Sequence, residues 1–127
     1  VIGSEVEWAM DRACMATGAR ALEFTVAPQV NPSSGPPYHE WFVAFDHPPE
    51  DPDLFAHLLD MALSEKNSYY KDLIDGKILR PCELHEVPRD LFPRYMKSIG
   101  KLGGQNKLPR LSNDRKIADA LLGLMKN

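Results

Sequence analysis

The residues best suited to chemistry in this 127-residue chain sit close together near its C-terminal end, in Gly100-Lys101-Leu102-Gly103-Gly104-Gln105-Asn106-Lys107-Leu108-Pro109-Arg110. Gly103 and Gly104 free the backbone for conformations other residues resist. Successive amides in such a turn can form a nest that holds an anion. Lys101 and Lys107 bracket the turn with point charges, Pro109 stiffens its exit, and Arg110 offers a planar fork for phosphate or carboxylate. The surrounding charge agrees. From Arg94 to Lys116 there are seven basic residues and one acid, Asp114, so this segment carries +6 while the remainder of a chain of net charge −3 carries −9. The overall balance speaks against general nucleic-acid binding, and the local excess speaks for one anion-binding spot.

Other combinations are weaker. The loop is not a P-loop, because Gly100-Lys101 is followed by Leu102 and Lys107 is preceded by Asn106. His39, His47, His57 and His85 have gaps of 8, 10 and 28 residues, none a zinc spacing, and no metal site is expected. Cys82 and His85, three apart on a strand, point to opposite faces and form no nucleophile pair. Glu5 and Glu7, and Glu50, Asp51 and Asp53, lie at helix starts that account for them. Cys14 and Cys82 read as small buried hydrophobes, a usage that fits a reducing cytoplasm. Trp8, Trp41, Phe42 and Phe45 read as core, whereas Tyr69 and Tyr70, at the end of a helix, are open to exposure.

The elements that must position the loop follow from pattern. Ser4-Glu5-Val6-Glu7 has the form of a capping box, predicting a helix over about 5–17 that ends at Gly18. Leu22, Phe24 and Val26 alternate with Glu23 and Thr25 as a strand. Pro28 to Pro37, with four prolines, is a connection. A second strand, apolar enough to be central, covers His39 to Asp46 and pairs antiparallel with the first. Asp51 caps a helix with Pro52 in its first turn and an apolar stripe of Leu54, Phe55, Leu58, Leu59 and Ala62, continuing to about Ile74 before Gly76. Leu79 to Val87 reads as a third strand, kept to an edge by Pro81. A short helix over 90–98 stops at Gly100, and Ser112 caps a last helix carrying Ile117, Ala118, Leu121, Leu122 and Met125.

The expected fold class is α+β: an open, mostly antiparallel or mixed sheet of at least three strands flanked by helices, in the order α-β-β-α-β-α-α. A further strand preceding Val1 would extend it. A first residue that is Val rather than Met, followed at once by a helix start, is what a domain cut from a longer chain would show. No run of about 18 apolar residues exists, and acidic and basic residues interrupt positions 1–18, so neither a membrane span nor a signal peptide is expected.

Two resemblances bear on function. Gly103-Gly104-Gln105 resembles the tripeptide of peptide-chain release factors, but it lacks that family's basic tail and is followed by Pro109. It supports one competing reading, a stand-alone anion- or RNA-binding module. A third reading is a unit that serves only docking or oligomerisation. From Trp41 onward the chain resembles the C-terminal domain of the Gretchen-Hagen-three auxin-responsive family of acyl-acid amido synthetases, members of the acyl-adenylate-forming superfamily. The matching stretches are Leu63 to Tyr70 (LSEKNSYY) and Pro88 to Asn113, with Gln-x-Lys-x-Pro-Arg at 105–110 the most specific. The helix at 5–17 matches the family segment just after the hinge.

This resemblance implies one 1–127 lid domain whose large N-terminal partner, holding the ATP-phosphate loop and acyl pocket, is absent. It implies an ATP-dependent cytoplasmic ligase, with Mg2+ held mainly by that missing domain, acting on a small carboxylic acid and an amine acceptor. It assigns the catalytic lysine to Lys107 and phosphate contacts to Lys101, Gly103, Gly104, Gln105 and Arg110. Arg110 has a second possible task, holding the loop against Asp114.

Overall fold

The computed structural model describes residues 1–101 and 107–126. Its elements are α1 (Gly3–Thr17), β1 (Arg20–Gln29), β2 (Tyr38–His47), α2 (Pro52–Lys66), α3 (Ser68–Asp75), β3 (Glu83–Glu86), α4 (Leu91–Ser98) and α5 (Lys116–Met125). The sheet has the order β1-β2-β3, with β1 and β2 antiparallel and β2 and β3 parallel. This is the expected open mixed sheet, with its most apolar strand at the centre.

Alternation along β2 divides the interior in two. Trp41, Val43 and Phe45 join Phe24 and Val26 of β1 on one face, covered by Val6, Ala9, Met10 and Ala13 of α1 and by Phe55, Leu59 and Leu63 of α2. Phe42 and Ala44 join Ala27 on the other face, under Leu91, Phe92 and Tyr95 of α4, Ala118 and Leu121 of α5, and Leu108. Helices therefore cover both faces, as a central strand with two apolar faces requires.

Most boundaries follow local chemistry. Gly18 ends α1 in the left-handed conformation at φ 79°. Asp51 caps α2, its Oδ1 accepting from the Leu54 amide at 3.1 Å. Several expectations are corrected. The start of α1 is earlier than Ser4: Glu5 accepts from the Ile2 amide at 2.9 Å, and Ser4 lies within the helix. Register shifts near Ala21 leave Leu22 without a partner in the ladder and 54% exposed. Leu54, assigned to the buried stripe, is exposed, and Leu63 takes its place.

The long helix expected to reach Ile74 breaks at Asn67. This residue leaves helical geometry at ψ 102°, closes α2, and caps α3 by accepting from the Tyr70 amide at 2.9 Å. Its side-chain amide also donates to Glu5 at 3.1 Å, tying the joint to α1. Tyr69 is exposed, but Tyr70 is buried and donates to Asp60 Oδ1 at 2.5 Å. The third strand is shorter than 79–87, leaving Pro81 ahead of it, and lies at an edge as expected. Cys82 is buried and Cys14 only half-buried. No helix among the described residues is long and apolar enough to cross a membrane.

Candidate functional site

The basic segment begins where α4 ends. The Lys101 amide donates to Met96 O at 2.8 Å and the Gly100 amide to Lys97 O at 3.0 Å, with Gly100 in the left-handed region at φ 74°. Glycine takes that turn without the Cβ clash another residue would meet. Gly103, Gly104 and Gln105 lie outside the described residues. The chain is described again at Lys107, and from there it is tightly held.

Leu108 is buried against the α4–α5 core. The Thr25 hydroxyl donates to Pro109 O at 2.7 Å. The Val26 amide donates to Arg110 O, and the Ser112 amide to Val26 O, both at 2.9 Å. A parallel bridge between Val26 and Leu111 results, so the strip 107–112 lies along the outer edge of β1. Ser112 thus belongs to this bridge and does not cap α5. Arg115 stands at the cap position of α5, and just before it Asp114 accepts from the Lys116 amide at 3.0 Å.

This route brings three lysines, Lys101, Lys107 and Lys116, to line one open cleft of about 360 Å³, with Tyr95, Met96 and Leu108 among its apolar walls. Lys101 and Lys107 are exposed, and no acid lines the cleft among the described residues. Like charges gathered without a counter-charge raise the local potential and favour an anion. A larger cleft, about 520 Å³, lies between α2 and α3, but its charges are of both signs: His57, Asp60, Glu65, Lys71 and Asp75.

Arg110 points away from Asp114, the partner expected for it. Its guanidinium pairs with Glu23, lies 3.6 Å from Glu7, donates to Phe24 O at 2.9 Å and stacks 4.1 Å over the Phe24 ring. It therefore ties the strip to β1 and α1.

A second anchor escaped sequence reasoning. Glu40, 4% exposed in the central strand, has both oxygens engaged: Oε1 with Arg115, and Oε2 with His85 Nε2 at 2.7 Å. Burial pushes the Glu40 carboxyl up, but the His85 hydrogen bond and the Arg115 guanidinium outweigh this and hold it below the usual range. Arg115 also donates to Asp119 at 3.0 Å, so it fixes the first turn of α5, where Lys116 enters the cleft. The available signal was an acid between His39 and Trp41 in an otherwise apolar strand, which demands a buried partner.

Glu40, Glu83 and His85 gather their ligand atoms within 4.8 Å, a grouping that histidine spacing did not foretell. Arginines already neutralise both carboxylates, Arg115 on Glu40 and Arg80 on Glu83 at 3.0 Å, so ion pairing explains the cluster without a metal.

Comparison with known proteins bears on the family and the fold. The model of the GH3 family C-terminal domain matches residues 4–116. Among solved structures, the chain is similar to one described as GH3.15 acyl acid amido synthetase, at 17% identity and a TM-score of 0.71, over 94% of this chain and 24% of that one. A second, AtGH3.15 acyl acid amido synthetase in complex with 2,4-DB, is similar at 16% identity and a TM-score of 0.70, over 94% and 23%. The chain thus spans about a quarter of the length of these structures, and at such identities they show the fold. No curated protein matches. With nearly its whole length covered by the family model, the chain belongs to the GH3 family and carries its C-terminal domain.

Proposed function

We propose that this chain is the mobile C-terminal domain of an ATP-dependent ligase that activates a carboxylic acid as acyl-AMP and passes the acyl group to an amine, such as that of an amino acid. The observation that carries the reading is the gathering of Lys101, Lys107 and Lys116 at one cleft that no acid lines among the described residues, with Lys107 on a strip fixed to β1. Its charge fits the phosphates of ATP. Mg2+ would be held mainly by residues outside this chain. The resemblance to structures described as acyl acid amido synthetases, each about four times as long, supplies the reaction class.

In the first step an oxygen of the acid attacks the α-phosphorus, and the bond to pyrophosphate breaks. Negative charge accumulates on the phosphoryl oxygens. A preplaced ammonium stabilises it most where water is excluded. We assign this role to Lys107, the lysine at the start of the anchored strip. A lid supplies such a group only when closed, which couples the chemistry to domain motion. Lys101 adds to the field, and Gly103, Gly104 and Gln105 are proposed as phosphate contacts. Arg110 is committed to Glu23 and Glu7 in this structure, so a phosphate contact from it would require those pairs to open.

The test is Lys107→Ala in the full-length ligase. Loss of one oriented donor of this kind costs about 10²- to 10³-fold in rate. Pyrophosphate release at the parent rate would refute the assignment. The competing RNA-binding reading predicts retardation of RNA by this chain that weakens steeply with salt, measurable by gel shift at two salt concentrations.

A further inference from the structure

We infer that Thr25 is a positioning residue for Lys107, a role that rests on the reading of Lys107 given above. Thr25 is 1% exposed, in the middle of β1, on the face covered by α4, α5 and Leu108. A buried β-branched position in a strand is ordinarily Val or Ile. Threonine there places a hydroxyl in an apolar setting, unfavourable unless it is hydrogen-bonded. Among the described residues its hydroxyl's partner is the Pro109 carbonyl at 2.7 Å, across 84 residues of sequence.

That bond acts where backbone pairing cannot. Proline has no amide proton, so Pro109 cannot donate to β1. The backbone bonds joining strip and strand involve Val26 with Arg110 and Ser112, all downstream of Pro109. Among the described residues Thr25 therefore makes the hydrogen bond from β1 that falls closest in sequence to Lys107, two residues from the ammonium-bearing position. Leu108 fixes the depth of the strip, and Thr25 fixes the peptide that follows it. Together they set the direction in which Lys107 leaves the sheet. Arg110 clamps the next residue through Glu23 and Phe24 O, which limits how far a freed Pro109 could carry the rest of the strip.

Two variants separate positioning from packing. Thr25→Val keeps the branched shape and removes only the hydroxyl, whereas Thr25→Ser keeps the hydroxyl. In this chain, amide hydrogen exchange by NMR should be about tenfold faster at Val26 and Ser112 in T25V, with α2 amides unchanged. T25S should lie near the parent. Exchange in T25V within about twofold of the parent, or T25S as fast as T25V, would overturn the proposal. In the full-length ligase, ATP-dependent pyrophosphate release is followed with benzoate, phenylacetate and 2,4-DB as acids, and with Lys107→Ala alongside. T25V should lower kcat about 10- to 100-fold with KM for the acid unchanged, the scale of a misplacement near 1 Å, and T25S should restore it. A normal kcat in T25V beside a slow K107A sinks the positioning role. A normal K107A sinks the Lys107 reading instead, and the exchange result then decides whether Thr25 holds the strip.

Discussion

Replacing Tyr70 with Phe tests what the LSEKNSYY stretch does in the fold. The Tyr70 ring is 2% exposed and stays in place in the variant, so only the hydroxyl is lost. That hydroxyl donates to Asp60 Oδ1 at 2.5 Å, and Asp60 Oδ2 accepts from the Cys82 amide at 2.8 Å. Asp60, 7% exposed, thus pins α3 and the approach to β3 onto α2. A hydrogen bond to a charged acceptor contributes about 1.5–3 kcal/mol, and its loss leaves one carboxylate oxygen buried and unpaired. Y70F should therefore lower stability by about 2 kcal/mol near neutral pH, or roughly 8 °C in Tm for a domain of this size. Burial pushes the Asp60 carboxyl up, against the lowering by Tyr70 and Cys82. Removing Tyr70 raises it further. Between its unfolded and folded pKa values the folded state then binds the extra proton, so the variant loses stability as pH rises through that window. The gap between Y70F and the parent should consequently narrow as pH falls through the raised folded value of the Asp60 carboxyl, above the ordinary carboxylate range. Urea unfolding followed by circular dichroism at several pH values measures both effects. A gap below about 0.5 kcal/mol at neutral pH, or one that widens in acid, would refute this account of Asp60.

Other anchors give separate expectations. Glu40→Gln should cost about 2 kcal/mol at neutral pH, because Arg115 and His85 lose their charged partner while one hydrogen bond survives. The folded pKa of Glu40 is depressed, so its contribution is complete above about 4.5 and disappears as pH falls through the folded value; the E40Q and parent unfolding curves should converge in acid. Gly18→Ala should cost about 1 kcal/mol by forcing a Cβ into the left-handed region. A Cβ there meets nothing within 4 Å, so crowding adds nothing, and Gly18→Asn should recover part of the loss in thermal melts.

Legibility from sequence followed the range of the forces. The Asp51 cap and the Gly18 and Gly100 stops are set by neighbours in the chain and were readable. The break at Asn67 was harder to see. The apolar stripe continues past it, and Asn67 was recognisable as both an end and a cap only once Glu5 and Tyr70 were found beside it. The strap holding the basic segment was not legible, because Thr25 and Pro109 are 84 residues apart and a strand threonine carries no sign of its partner.

By itself the sequence determined that a cationic, glycine-bearing segment follows a short helix, that a central strand must be covered on two faces, and which family the motifs match. These depend on charge, periodicity and turn chemistry, all local. Only the tertiary structure decided that Arg110 serves Glu23 and Glu7 and that Arg115 is anchored to a buried Glu40. It also decided that residues 107–112 lie along β1. The physical reason is that a charge or hydroxyl in the sequence has many possible partners, and burial selects the few that satisfy it.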